Sequence, residues 1–207
     1  MSRAKICGIT RLEDAELAVS LGAWAIGFIF HPESPRYIEP REAGAIIRLL
    51  PKDTLSVGVF VNSSHRDIEK VRKATGIKAL QFHGNEPPDY CKNWNIPVIK
   101  AFRPQVPSDI EPIGRYSNLT AYLIDAAAGP RVWGGTGQLS NWELAIDAKE
   151  FGKVILSGGL TPENVQEAIR TVHPYAVDVS SGLEVSPGVK DPQKMNDFFR
   201  ALRGVDE

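Results

Sequence analysis

The sequence predicts a closed α/β barrel of eight β/α units. Three observations carry that reading. Eight short apolar, β-branched runs recur, near residues 4–9, 25–30, 55–61, 79–82, 97–101, 121–125, 154–157 and 176–179. Their starts lie 21, 30, 24, 18, 24, 33 and 22 residues apart, a β/α period rather than a hairpin period. Helical patterns with recognisable start and stop signals fill most of the gaps. At 207 residues, each unit takes about 26, so the expectation is a compact TIM barrel with one domain over residues 1–207. An open doubly wound sheet is the runner-up, but six strands would leave two strand signals unexplained.

The elements follow in order. After the first strand, Thr10 can cap a helix over 12–21 that stops at Gly22. Glu39-Pro40 opens a helix over 41–50, with proline at an early helical position. Ser64 precedes a helix over 66–74, which Gly76 follows. Residues 88–94 read as an outer helix carrying Cys91. The fifth connection, 102–119, is weak: Pro104, Pro107, Pro112 and Gly114 break any long helix, leaving a loop or one short turn. Thr161-Pro162-Glu163-Asn164 opens a helix over 165–172, with Thr161 as its cap. Asp191-Pro192 opens the last one, over 194–202.

Composition excludes several classes. A hydrophobic fraction of 43% with 24% charged residues is ordinary for a globule, not for a disordered or fibrous chain. A net charge of −1 argues against nucleic acid or an anionic membrane as the main partner, while leaving room for a small anionic ligand. Cys7 and Cys91 make no disulfide framework and have no metal-ligand spacing. The longest apolar run is too short to span a bilayer, and the first residues leave no room for a signal peptide. The expectation is a cytoplasmic enzyme or binding protein.

In such barrels the active site lies at the C-terminal ends of the strands. The polar residues there are Cys7, Ser34-Pro35-Arg36, Gln81 and His83, Asp125, Ser157-Gly158-Gly159, and Asp178, Ser180, Ser181 and Gly182. Each alone has a bland explanation; their co-location is the signal. Gly158-Gly159 and Ser181-Gly182 follow the last two strands, where glycine lets backbone amides approach an anion closely, so they are the candidate phosphate site. A cysteine in an apolar strand is usually inert core. Alternation, however, puts Lys5 on the same face as Cys7, and a nearby ammonium favours the thiolate needed for base or nucleophile work. Asp125 either caps the next turn or, among apolar neighbours that hold its proton, acts as a proton donor. Arg36 is either a solvated loop residue or a bidentate partner for a carboxylate. His83 is either a satisfied structural histidine or part of the site. No metal cluster, nucleophile elbow, Walker loop or dinucleotide fingerprint is present.

These residues resemble the phosphoribosylanthranilate isomerases nearly end to end. The similarity rests on Lys5-Ile6-Cys7-Gly8-Ile9-Thr10, Gly27-Phe28-Ile29-Phe30 with Ser34-Pro35-Arg36, and Val57-Gly58-Val59-Phe60-Val61-Asn62. It continues through Gln81-Phe82-His83-Gly84, Asp125, Gly134-Gly135-Thr136-Gly137 and the run from Ser157 to Val165. It ends with Asp178-Val179-Ser180-Ser181-Gly182-Leu183-Glu184 and Pro187-Gly188-Val189-Lys190-Asp191. Residues 126–131 depart from the pattern. The resemblance implies a (β/α)8 barrel that performs an Amadori rearrangement in tryptophan biosynthesis, without a cofactor or metal. It implies Cys7 as general base, Asp125 as general acid and Arg36 as the holder of the anthranilate carboxylate. The expected substrate-binding set is Arg36, His83, Gly158, Gly159, Asp178, Ser180, Ser181 and Gly182. A monomer and a homodimer both stay open.

Two rival readings have discriminating features. Indole-3-glycerol-phosphate synthase activity would call for a lysine acid at a strand end, where only Lys5 and Lys100 come near. A non-catalytic sugar-phosphate sensor would keep the glycine turns without needing both Cys7 and Asp125.

Overall fold

A computed structural model describes residues 2–125 and 141–205. Eight strands close into a parallel barrel in sequence order: β1 Arg3–Ile6, β2 Ala25–Ile29, β3 Leu55–Phe60, β4 Ala79–Phe82, β5 Val98–Phe102, β6 Ala121–Ile124, β7 Val154–Leu156 and β8 Ala176–Val179. Closure comes from β1 pairing with β8, with Lys5 opposite Asp178. Every one of these strands pairs with its sequence neighbour, as helical crossovers between parallel strands require.

Alternation sorts the side chains. Ala25, Val57, Ala79, Ile99, Ala101, Ala121, Leu123, Ile155 and Ala176 fill the barrel interior. The opposite phase, including Ile6, Ile26, Phe28, Leu80, Phe82, Ile124, Leu156 and Val177, packs outward against the helices. Following the inward phase to the end of each strand and just beyond reaches Cys7, Gln81 and His83, Arg103, Asp125, Ser157, Asp178 and Ser180. The pleat itself therefore aims the polar residues at the barrel's C-terminal mouth.

The outer helices are α1 Leu12–Leu21, α2 Pro40–Leu49, α3 His65–Thr75, α4 Pro88–Cys91, α5 Trp142–Asp147, α6 Val165–Val172 and α7 Pro192–Arg203. Among the described residues no helix is long and apolar enough to cross a membrane. Ser64 caps α3 by accepting from the Asp67 amide, and Asp191 caps α7 by accepting from the Gln193 and Lys194 amides.

Several expectations are corrected. Thr10 does not cap α1; Arg11 stands at that position, and the Thr10 hydroxyl donates to the Gly188 carbonyl instead. Thr161 does not cap α6. The helix starts after Asn164, whose Oδ1 accepts from the Thr161 amide at 2.8 Å. The outer helix at 88–94 shrinks to one turn, because Lys92 is extended and Asn93 takes a positive φ of 65°. The weak fifth connection contains two 3-10 turns, Pro107–Asp109 and Glu111–Arg115, rather than one.

A feature without a sequence signal follows β8. Strands β9 (Glu184–Ser186) and β10 (Val189–Lys190) form a short antiparallel hairpin. Lys190 ties it to the barrel mouth. Its buried ammonium donates to the Cys7 carbonyl at 2.6 Å, the Ser180 carbonyl at 3.1 Å and Glu184 Oε1 at 2.8 Å. The Lys190 amide donates to Asp14 Oδ2 at 3.1 Å, joining the hairpin to α1. Removing one member of such a buried pair leaves the other charge uncompensated. Lys190→Met should therefore lower the unfolding free energy by about 3–5 kcal/mol in urea denaturation. A loss below about 1 kcal/mol, the range of an exposed pair, would show that this ammonium does not tie the hairpin.

Candidate active site

The strand ends bring the expected residues to one mouth. Backbone ladders extended by one residue place them: the Cys7 amide donates to the Val179 carbonyl at 2.9 Å and the His83 amide to Phe60 at 2.8 Å. The Asp125 amide donates to Phe102 at 2.9 Å, and that of Ser157 to Ile124 at 2.8 Å. Cys7, Arg36, His83, Asp125, Ser157 and Asp178 are all buried. A cleft at the mouth is lined by Asp125, Ser157, Gly158, Gly159 and Leu160 on one side and Asp178 through Gly182 on the other.

Cys7 sits over a charged pair. Lys5 Nζ donates to Asp178 Oδ1 at 2.7 Å inside the barrel, and Ser157 Oγ reaches Asp178 Oδ2 at 3.4 Å. A Cβ at Gly27 would lie 2.8 Å from Cys7 Sγ and 3.1 Å from Lys5 Nζ, so both side chains pack over that glycine. Burial opposes the charge on Lys5, but Asp178 and Cys7 outweigh it, and Lys5 is held protonated. For Cys7 the balance runs the other way. Burial pushes the thiol up, Lys5 pulls it down and Asp178 pushes it up again, for a net rise. Lys5 favours the thiolate, as expected from its place on the same face, but burial outweighs it.

Asp125 is paired across the mouth. His83 Nε2 lies 3.1 Å from Asp125 Oδ2, and His83 Nδ1 lies 3.0 Å from Gln81 Nε2. Arg103 adds a positive charge close enough to feel both Asp125 and Glu86, although burial lowers its proton affinity.

Arg36 is held from behind. Its Nε donates to Glu184 Oε1 at 2.9 Å and Oε2 at 3.0 Å, and its Nη2 to Oε2 at 2.7 Å. Burial pushes Glu184 up, but Arg36 and Lys190 outweigh it and keep the carboxyl below its usual range. One edge of the guanidinium is thereby fixed, while Nη1 has no hydrogen bond among the described residues. A planar fork oriented in this way presents its remaining donors in a set direction.

The two turns after β7 and β8 meet tightly. Gly158 and Gly159 both take positive φ, 91° and 65°, and a Cβ at Gly182 would fall 1.9 Å from the Leu160 carbonyl oxygen. Side chains are excluded, and backbone lines the cleft there. The amides of Gly158, Gly159, Ser181 and Gly182 donate no hydrogen bond among the described residues. Unused amides in adjoining turns suit an oxyanion. Ser180 Oγ is also buried there without a partner among the described residues.

Every expected site residue thus lies at the mouth. Gly134-Gly135-Thr136-Gly137 and residues 126–131 lie outside the described residues. The sequence analysis gives no role to Glu184, Lys190 or Arg103. The first two stand in the blocks that carry the resemblance, and Arg103 continues the inward phase of Ile99 and Ala101. Cys91, buried in α4 and pushed up to about 11 by burial, stands apart from the mouth.

Comparison with known proteins gives a consistent picture. Residues 4–201 match the family described as N-(5'phosphoribosyl)anthranilate (PRA) isomerase. The N-(5'-phosphoribosyl)anthranilate isomerase of Geobacter metallireducens is 49% identical over 98% of this chain and 100% of its own. The crystal structure of the Thermotoga maritima phosphoribosyl anthranilate isomerase superposes with a TM-score of 0.91, at 41% identity, covering 99% of this chain and 100% of that one. Another phosphoribosyl anthranilate isomerase structure, in complex with reduced 1-(o-carboxyphenylamino)-1-deoxyribulose 5-phosphate, superposes with a TM-score of 0.88 at 40% identity. It covers 99% of this chain and 100% of that one.

The thiol balance is directly measurable. With Cys91→Ser isolating Cys7, thiolate absorbance should appear only above the ordinary cysteine value of about 8.5, and Lys5→Met should move it higher still. Ionisation of Cys7 below that value would mean that Lys5, not burial, dominates.

Proposed function

Because this chain belongs to the N-(5'-phosphoribosyl)anthranilate isomerase family, we propose that Cys7 and Asp125 divide the proton transfers of its reaction. The reaction is the Amadori rearrangement of N-(5-phosphoribosyl)anthranilate to 1-(2-carboxyphenylamino)-1-deoxyribulose 5-phosphate, a step of tryptophan biosynthesis. The observation that carries the assignment is the cleft. It runs from Asp125 along the free amides of the β7 and β8 turns, and β1, which delivers Cys7, is the next strand round.

Ring opening needs a proton on the furanose oxygen. Asp125 supplies it as the anthranilate nitrogen pushes its lone pair toward C1′ and the C1′–O bond breaks. The Schiff base so formed acidifies C2′–H. Cys7, as thiolate, takes that proton; the electron pair forms the C1′–C2′ double bond, and the enolamine tautomerises to the ketone. One acid and one base suffice, and the atoms of substrate and product are the same. The raised thiol has a chemical consequence: a base that holds its proton tightly is strong once ionised, and Lys5 offsets part of the cost of ionising it.

The remaining residues bind. The turns at Gly158-Gly159 and Ser181-Gly182 take the phosphate through their amides, with Ser180 beside them. Arg36, braced by Glu184, receives the anthranilate carboxylate on its open edge. Asp178 holds Lys5, and His83 holds Asp125. Binding energy gathered at the two anionic ends of the substrate positions the sugar carbons between acid and base. Because contributions come from β1, β2, β4, β6, β7 and β8, we treat residues 1–207 as one functional domain. A doubly charged phosphate does not cross a bilayer, so this reading places the enzyme in the cytoplasm beside the other steps of its pathway.

Single substitutions test the division. Cys7→Ser and Asp125→Asn should each cut kcat by about a hundredfold or more with a much smaller change in KM, because each group acts chiefly in the transition state. Cys91→Ser should leave both constants unchanged. Near-full kcat in Cys7→Ser would make the thiol ordinary core, and near-full kcat in Asp125→Asn would remove the acid.

A further inference from the structure

We propose that Gln81 is a positioning residue: its amide holds His83 neutral, with the ring proton on Nε2 facing Asp125. Gln81 is nearly fully buried on the inward face of β4, between Val59 and Ile99 in register. Its Nε2 stands 3.0 Å from His83 Nδ1, and His83 Nε2 stands 3.1 Å from Asp125 Oδ2. An amide NH2 can only donate, so Nδ1 accepts and the single ring proton resides on Nε2. A second proton on Nδ1 would set N–H against N–H.

Reversing the amide does not serve the site. Either orientation leaves one buried amide atom without a partner among the described residues; in this one it is Gln81 Oε1. The choice is therefore made at Asp125. With Oε1 toward the ring, Nδ1 would carry a proton; the ring would then meet Asp125 either as an imidazolium, which favours the carboxylate, or with a bare Nε2 that accepts the acid's own proton and holds it back from the substrate. With Nε2 of Gln81 toward the ring, Asp125 Oδ2 receives a donor both before and after Asp125 gives up its proton. The acid proton then belongs to the other oxygen, Oδ1. Among the described residues, Arg103 is a charged group whose field reaches Asp125. A neutral His83 keeps a second positive charge away from the carboxyl, and that charge would favour the carboxylate over the acid.

This inference rests on Asp125 as the proton donor, and two separate readouts keep the claims apart. Nitrogen NMR of the histidines, with His83 assigned by its loss in His83→Gln, should show a neutral Nε2–H ring in the wild type at neutral pH. In Gln81→Glu the carboxylate accepts from Nδ1–H, and His83 should become an imidazolium. kcat should then fall about tenfold or more, as a starved acid requires, while KM stays within about threefold. Gln81→Met, which removes the donor without adding an acceptor, should lose less; equal losses in both variants would mark a merely structural role. An Nδ1–H ring in the wild type, or identical His83 spectra in wild type and Gln81→Glu, would overturn the proposal. Full turnover in Asp125→Asn with the Gln81-dependent spectra intact would instead overturn the acid assignment alone.

Discussion

The ion pair of Lys5 with Asp178 is the interaction on which the mouth of this barrel depends. The two residues face each other where β1 meets β8, the seam at which the sheet closes. Neither side chain can stay charged inside a barrel without the other, since an isolated buried charge costs several kcal/mol after relaxation. Such a pair is a weak source of net stability, because desolvation offsets its attraction. What it supplies is placement: a fixed positive centre beneath Cys7 and a fixed negative one beside Ser157 and the phosphate turns.

From that seam the polar network spreads in two directions. Toward β10, Lys190 joins the carbonyls of Cys7 and Ser180 to Glu184, and Glu184 fixes one edge of Arg36. Across the mouth, Gln81, His83 and Asp125 form a second chain on β4 and β6. The groups proposed as acid and base thus belong to separate networks. Each is set by different neighbours, so a change at one need not disturb the other. The uncharged turns of Gly158-Gly159 and Ser181-Gly182 lie between them, offering backbone donors that need no counter-charge.

Much of this was legible in the sequence, because barrel strands obey local rules. The bounds of β4, β8, α1 and α6 follow directly from apolar runs and from glycine or proline punctuation. Position at strand ends also named Cys7, His83, Asp125 and Asp178. What stayed hidden depends on distant pairing. Arg36 meets Glu184 across 148 residues, and Lys190 meets Cys7 across 183, with no periodicity to announce either. The β9–β10 hairpin is too short to leave a strand pattern. Thr10 has the chemistry of a cap, yet Gly188 competes for its hydroxyl. The net proton affinity of Cys7 was not legible either, because sequence shows that Lys5 is near but not how far burial opposes the thiolate or that Asp178 holds the ammonium.

The arrangement of two anion sites around an acid and a base is tested most directly by a crystal structure of this enzyme with the reduced product analogue bound. The account predicts the phosphate on the amides of Gly158-Gly159 and Ser181-Gly182 and the carboxylate on the open edge of Arg36. It also predicts the C1–C2 unit within about 3.5 Å of Cys7 Sγ, with the hydroxyl derived from the ring oxygen facing Asp125. A phosphate seated over any other pair of loops, or a C1–C2 unit turned away from Cys7, would contradict it.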